Sequence, residues 1–577
     1  MKSSDNQYKV KMAIRTSAKM LSMAMFLTLV TYGSIFSQGR NQEVTIIAPY
    51  QPSISDAVKM PLKPEINDTL VKAPEMSYAI NSQLIPTTYE IQPLKPVYIQ
   101  VDPRKSLHRN YLKAGFGNYT TPYAEFFSNS LNSDKYSLGF HVRHHSSKGD
   151  IKDHPVSAFS NNKTAVYGKR YMSDKVLSGR IYYDRDVVHY YGMVPGEDTA
   201  IFSLPDDDLR QRFSLFGANV SLASNSRSQN GYSAELSYYG QTDLYETAET
   251  GFGLKGNYNS RKKLVNLADE EEFGADFTLD LFANSDTLVS QTNIMSGITP
   301  YLRLNFDYLD FTIGLEAAVA ADAASKLYVY PEVKLFFKII PEYLRLYLTV
   351  TGGLQRNSFL STSRENPWIN PVFPLGFTST TYDFKGGVTG KISQLVDFNL
   401  SASYADTENM LFFINDYSSS FSPMLSENFA NKFTGIYDNV KLTTINAEIS
   451  YDLPQKLNAM LVVNYRDYNL ETEEQPWHKP SIETSLLAKY HLLPNLSLNG
   501  ELFYIGSTWA KVMNAGSEVT SEKIDGYVDL NFGAEYRFND KIAAFAQLNN
   551  VTGTRYYRWY NYPSQRINAM AGVTIAF

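Results

Sequence analysis

The chain has no cysteine. That removes disulfide scaffolds, thiolate-bound metals and cysteine nucleophiles together. It has only 4 tryptophans in 577 residues, against 42 tyrosines and 33 phenylalanines. Its net charge is only −6, so it carries no basic footprint for nucleic acid. It also lacks amphipathic stretches of helical period long enough to anchor an α/β domain. A mean hydropathy of −0.29 argues against a helical membrane protein, which needs apolar runs of about 20 residues. No nucleophile elbow, phosphate loop or zinc-protease helix motif is found, so neither an enzyme nor a cofactor is expected. At 577 residues the chain is too long for one soluble core. A transmembrane β-barrel escapes these objections, because its strands alternate apolar-out and polar-in and average to a soluble-looking hydropathy.

Alternation is what the chain has in abundance. In "GYVDLNFGAEYRF", Val528, Leu530, Phe532, Ala534, Tyr536 and Phe538 fall on one face, and Asp529, Asn531, Glu535 and Arg537 on the other. "TINAEISYDL" sets Ile445, Ala447, Ile449, Tyr451 and Leu453 against Asn446, Glu448, Ser450 and Asp452, and "VDFNLSASY" repeats the pattern. A period of two is the signature of a strand with two different environments. Many of these runs reach the length a tilted strand needs to cross a bilayer, and about 22 of them fit between residue 110 and the carboxyl end. Tight connections at 172–175, 308–310, 341–342, 394–395, 454–456, 494–495 and 539–540 alternate with long polar ones near 146–162, 187–209, 356–379, 410–438 and 510–525. Every tight turn falls on one side if the first strand begins at Tyr111. Short turns belong to the periplasmic side of bacterial barrels, so both ends of the barrel chain are expected there. The segment 259–274 is too long for its turn and leaves room for a further hairpin. The final stretch, "RINAMAGVTIAF", alternates up to Phe577, as a closing strand must.

The beginning of the chain differs. Lys2, Lys9, Lys11, Arg15 and Lys19 precede the apolar run "MLSMAMFLTLVTYGSIF", so residues 1–37 read as a secretory signal cleaved near Ser37; the alternative is a membrane anchor, for which the run is short. Prolines at 49, 52, 61, 64, 74, 86, 93, 96 and 103 make residues 38–108 an extended, proline-rich segment, periplasmic or lumen-occluding. Residues 109–577 form the expected barrel.

The closing stretch 541–577 resembles the last strands of TonB-dependent receptors, on Leu548, Asn549, Asn550, Val551, Thr552, Tyr556, Tyr557, Pro563, Arg566 and Phe577. The resemblance implies a barrel of about 22 strands in the outer membrane, acting in transport or uptake, with Phe577 as part of the signal read by the barrel-assembly machinery. Members of that family carry a folded plug of well over a hundred residues, which residues 38–108 are too few to form. "RNYLKAGFGNYTTPYAEFF", 109–127, resembles the opening of plugless receptor-like barrels of Bacteroidetes-type bacteria. "EVTIIA", Glu43, Val44, Thr45, Ile46, Ile47 and Ala48, is similar to the short box through which such receptors contact TonB; a lone extended segment is the plainer reading. The alternative role is a non-transporting barrel, a platform in a larger assembly with envelope lipoproteins.

Three clusters are candidate sites. His141, His144, His145 and His154 crowd one stretch, but His141 and His145 share a strand face that His144 does not, which favours surface or lumen histidines over a metal centre. The acidic run at 205–208 lacks the spaced ligands of a calcium loop. Arg555, Tyr556, Tyr557, Arg558, Trp559, Tyr560 and Tyr562 concentrate in one external hairpin. That is the composition of a binding hot spot and equally of an interfacial aromatic girdle, with the residues nearest the strand ends assigned to the girdle.

Overall fold

The computed structural model describes residues 108–131, 133–149, 151–193, 205–225, 230–263, 266–321, 325–416, 431–513 and 519–577. The signal, the proline-rich segment and the Glu43–Ala48 box lie outside the described residues.

Twenty-two antiparallel strands pair each with its neighbour in the chain. The first, Asn110–Gly117, also pairs with the last, Asn568–Ala576, from Tyr111 opposite Ala576 to Gly117 opposite Met570. Two further bonds complete the seam: Asn110 N–H to the Phe577 carbonyl, 2.8 Å, and Phe577 N–H to the Asn110 carbonyl, 3.0 Å. The sheet is therefore a closed barrel with no free edge. The final residues are fixed because they are half of that seam. Gly572 sits where the seam is tightest: a Cβ there would meet the Ala114 carbonyl oxygen and the Phe545 ring.

The two faces separate as the alternation predicts. Phe140, Val166, Ile181, Val220, Ile298, Ile313, Leu400, Phe532 and Val573 are exposed on the outer face. In the closing strand Val573 is 45% exposed while the next residue, Thr574, is 5% exposed. An apolar belt this extensive around a cylinder whose backbone is internally hydrogen-bonded is a membrane-spanning surface. The inner face is polar and charged. Glu125 accepts a bond from Tyr123 Oη, 2.7 Å, and faces His141 Nε2 at 3.0 Å. Lys113 lies 4.3 Å from the centre of the Phe545 ring.

The tight turns named from the sequence all lie at the end that holds Asn110 and Phe577. The connection at 261–269 is the long one at that end; its described residues add no strand, so the extra hairpin is not needed. Glu271 accepts the Leu267 amide, 2.6 Å, and holds the connection on the rim. At the opposite end four connections are also short: 118–120, 243–247, 286–289 and 322–324. In the third, the Asp286 carboxylate accepts the Leu288 and Val289 amides, both at 2.8 Å, closing the turn from within.

Candidate binding site under the loop cap

The long connections leave the barrel at one end and fold together. Parts of 148–158, 190–209, 357–376 and 550–567 meet around an apolar core that includes Tyr191, Phe213, Phe359, Ile369, Phe413, Phe433, Trp559 and Tyr562. From 471–481, His478 packs on Phe433 and Trp559 of that core, while Trp477 belongs to a second cluster with Phe412 and Val440. Trp368 and Tyr562 stack at 4.1 Å, Tyr191 meets Tyr562 edge-on at 4.9 Å, and Trp559 meets Phe413 edge-on at 5.2 Å. Buried aromatic pairs of this kind add about 0.5–1.5 kcal/mol each beyond their burial. All four tryptophans stand in long connections at this end: Trp368, Trp477 and Trp559 in three of those just named, and Trp509 in the connection 506–526.

The polar tips of the core rings are satisfied across loops. Tyr190 Oη donates to the Ile369 carbonyl, 2.9 Å, Tyr191 Oη to the Pro563 carbonyl, 3.1 Å, and Trp368 Nε1 to the His189 carbonyl, 2.9 Å. Tyr562 Oη donates to the Asn431 carbonyl, and Asn431 Nδ2 returns a bond to the Tyr190 carbonyl at 3.0 Å. A ring with its hydroxyl paired in this way is held in one position.

A short helix, Phe359–Glu365, ties the cap to the wall. Ser358 caps it in a reciprocal box with Ser361, the arrangement that satisfies two orphan amides at once. Its first amides, Phe359 and Leu360, donate to the Glu249 carboxylate at 2.8 and 3.1 Å. Glu249 faces the lumen from the strand Ala248–Ser260 and lies 3.7 Å from Arg356, with both side chains almost wholly buried. A carboxylate at a helix N-terminus is favoured by the helix dipole. Ser363 accepts from Gln241 at 2.9 Å, Arg364 lies 3.6 Å from Asp184, and Glu365 pairs with Lys479. Gln241 and Asp184 stand on the strands Asn230–Thr242 and Lys175–His189 and Lys479 in the connection 471–481, so the helix reaches inward from its own hairpin.

Two groups in the cap are charged only at a cost. His478 is buried; its Nδ1 bonds the Phe413 carbonyl at 3.0 Å and its Nε2 accepts the Tyr560 amide at 3.3 Å. Burial holds its pKa down to about 4, with Lys479 adding to the effect. Lys432 is buried with its ammonium 5.0 and 5.3 Å from the Tyr190 and Tyr245 rings. Burial lowers its pKa to about 8 despite the nearby Asp416 and Asp243.

Against the inner wall the cap leaves a cavity of about 420 Å³, bounded by Phe159, Tyr191, Trp368, Asp529, Tyr556 and several amide side chains. Tyr556 stacks flat on Tyr527 at 4.0 Å and donates to Asp529 Oδ2 at 2.8 Å. A second recess of about 380 Å³, with Tyr119, Lys152, Asp153 and Arg555 on its walls, adjoins it. Ile151, Ser564, Gln565 and Arg566 line both. Gln565 Nε2 bridges Ser147 Oγ and the Gly149 carbonyl, each at 3.3 Å.

The aromatic hairpin singled out from the sequence therefore divides. Trp559 and Tyr562 are core residues of the cap and Tyr556 lines the cavity; none of the three is in a lipid-facing girdle. Arg558 is exposed. The histidines take separate partners: His141 with Glu125, His144 with Asn162 at 2.7 Å on the other strand face, His145 edge-on to Tyr123, and His154 against Tyr191. Asp206–Asp208 form one turn of 3-10 helix, with Asp207 3.2 Å from Arg210. The Glu249–Arg356 pair and the cavity escaped the sequence reading. The signal that points to the first is "NSFLSTSRE", where a serine capping spacing opens a helix inside a barrel loop.

No protein-family model matches the chain, and no curated protein does. Solved structures do. The chain superposes on the FrpB iron transporter of Neisseria meningitidis with a TM-score of 0.63 and 11% identity, over 82% of each chain. The pyoverdine outer membrane receptor FpvA of Pseudomonas aeruginosa gives 0.61 and 13%, over 82% of this chain and 80% of that one. The ferric enterobactin receptor PfeA of the same species gives 0.61 and 10%, over 81% of each. The barrel fold is shared with siderophore receptors. At these identities the likeness speaks for architecture, and the cap and cavity must be read from this chain's own residues.

Proposed function

We propose that this chain is an outer-membrane barrel for solute uptake, in which the loop cap does the occluding work that a folded plug does in TonB-dependent receptors. In this reading the cap faces outward and both ends of the barrel chain face the periplasm. Residues 38–108 provide the periplasmic contact, with Glu43–Ala48 engaging TonB, and Phe577 serves the assembly machinery. The observation that carries the reading is the ligand-sized cavity between cap and inner wall. A solute arriving from the loop end meets the outer recess, then Gln565, then the cavity. Uptake requires the cap to yield, and the Glu249 clasp on the helix is the joint at which it would.

The second reading, a non-transporting platform, draws on the same cap: its ring tips are paired across loops as in a permanent core. One experiment separates the two. The absence of native cysteine allows a clean crosslink, Gln241→Cys with Ser363→Cys, between the wall and the helix. Uptake by cells carrying the reduced pair, abolished on oxidation and restored by reductant, supports a moving cap. Wild-type accumulation of no solute, together with stable co-purification of envelope lipoproteins and no energy-coupling partner, supports the platform.

A further inference from the structure

The cavity's lining identifies the kind of molecule it suits. We propose that it binds a neutral, polyhydroxylated solute, a mono- or disaccharide. Its volume, about 420 Å³, lies in the range of about 300–1,000 Å³ typical of small-molecule sites. Four aromatic side chains bound it: Phe159, Tyr191, Trp368 and Tyr556. The C–H face of a pyranose is apolar and lies against such rings, whereas its edge needs groups that both donate and accept.

The polar lining is of that kind. Asn161, Asn549, Asn550, Gln565 and Asn568 are all carboxamides, and an amide offers a donor and an acceptor side by side, as a hydroxyl does. The amide hydrogens of Asn550 and Gln565 are taken within the protein, which leaves Asn161, Asn549 and Asn568 to donate to a ligand. A cationic ligand would call for acceptors alone and a polyanion for donors alone. Formal charges in the lining are one carboxylate, Asp529, and one guanidinium, Arg566. They cancel, so the site is matched to an uncharged molecule; a ferric chelate bearing several negative charges would find one arginine and a facing carboxylate.

Two atoms of the lining residues lack a partner. Ser157 Oγ and Asp529 Oδ1 are buried and accept or donate no hydrogen bond, although Asp529 Oδ2 is held by Tyr556. An acceptor removed from water without a donor is uncompensated. Both oxygens lie just behind the lining with almost no accessible surface, so a sugar hydroxyl becomes their donor once the lining shifts to admit it. The Tyr527–Tyr556 stack fixes Tyr556 in place before any ligand arrives, so the ring and its carboxylate are pre-organised.

This inference concerns binding and is tested without transport, so it can fail while the uptake reading stands, and the reverse. The full chain, purified in an amine-oxide detergent that carries no sugar headgroup, is titrated with glucose, galactose, mannose, N-acetylglucosamine, maltose and lactose, and separately with ferric enterobactin. Calorimetry and tryptophan fluorescence are read together, because Trp368 borders the cavity. The expected result is saturable one-to-one binding of at least one sugar with a sub-millimolar Kd. Asp529→Asn and Tyr556→Ala should each weaken it about tenfold or more. Arg170→Gln, at the far end of the barrel, should leave it unchanged. Folding of each variant is checked by the heat-dependent shift in gel mobility. Binding of none of the sugars, or binding undiminished in both folded cavity variants, or binding of ferric enterobactin alone, overturns the proposal.

Discussion

Glu249 and Arg356 show how much one buried pair can be asked to do. Glu249 is at once the partner of Arg356 and the acceptor for the first amides of the inward helix. Removing one member leaves the other charged and buried, which costs about 3–5 kcal/mol. Arg356→Met should therefore loosen the cap rather than the barrel. Because all four tryptophans lie in the cap connections, urea titration followed by tryptophan emission should show an earlier transition in Arg356→Met. The heat-dependent gel shift, which follows the barrel, should be unchanged; a parallel loss of both would assign the pair to the barrel itself.

His478 makes the cap sensitive to acid. The folded state holds the ring neutral with both nitrogens bonded, and its pKa falls from 6.5 to about 4. A depressed folded value means that this contribution is complete above about pH 6.5 and is lost as pH falls toward 4. Linkage sets the loss at about 3 kcal/mol at the lower limit. Protease cleavage within 471–481 should rise between pH 6.5 and 4 in the wild type, and His478→Gln should flatten that dependence. An identical profile in both proteins would remove His478 as the source.

At the scale of elements, the strands were legible and the cap was not, for one physical reason. A barrel strand has two uniform environments, so period two in "GYVDLNFGAEYRF" declares it, and Val528, Phe532 and Tyr536 are indeed exposed on the outer face. The cap is built from contacts far apart in the chain: Tyr191 to Pro563 spans 372 residues and Tyr562 to Asn431 spans 131. Nothing local distinguishes a tyrosine bound for such a core from one at a membrane interface, which is why the hairpin holding Trp559 and Tyr562 read equally as a binding hot spot and as a girdle. The same scale carries a prediction for the seam. Gly572→Val places a branched side chain against the Ala114 carbonyl, where backbone cannot yield. The last strand should then fail to pair with the first, and the folded gel form should be lost. Val573→Leu, one residue on and lipid-facing, should fold normally. Equal folding of both would mean that the seam tolerates widening.

For the molecule as a whole, the outer belt and the polar interior define a barrel wall that needs a bilayer, and in the proposed uptake role the cap decides what passes through it. A barrel of this strand number is wide enough to need an occluding element. The direct measurement is single-channel conductance of the purified chain in a planar bilayer, compared with a variant in which Ser358–Asn366 is replaced by a short glycine-serine linker. The account predicts a wild type that is closed or nearly so and a variant that opens in large, discrete steps. A wild type already conducting at the level of the variant would contradict it.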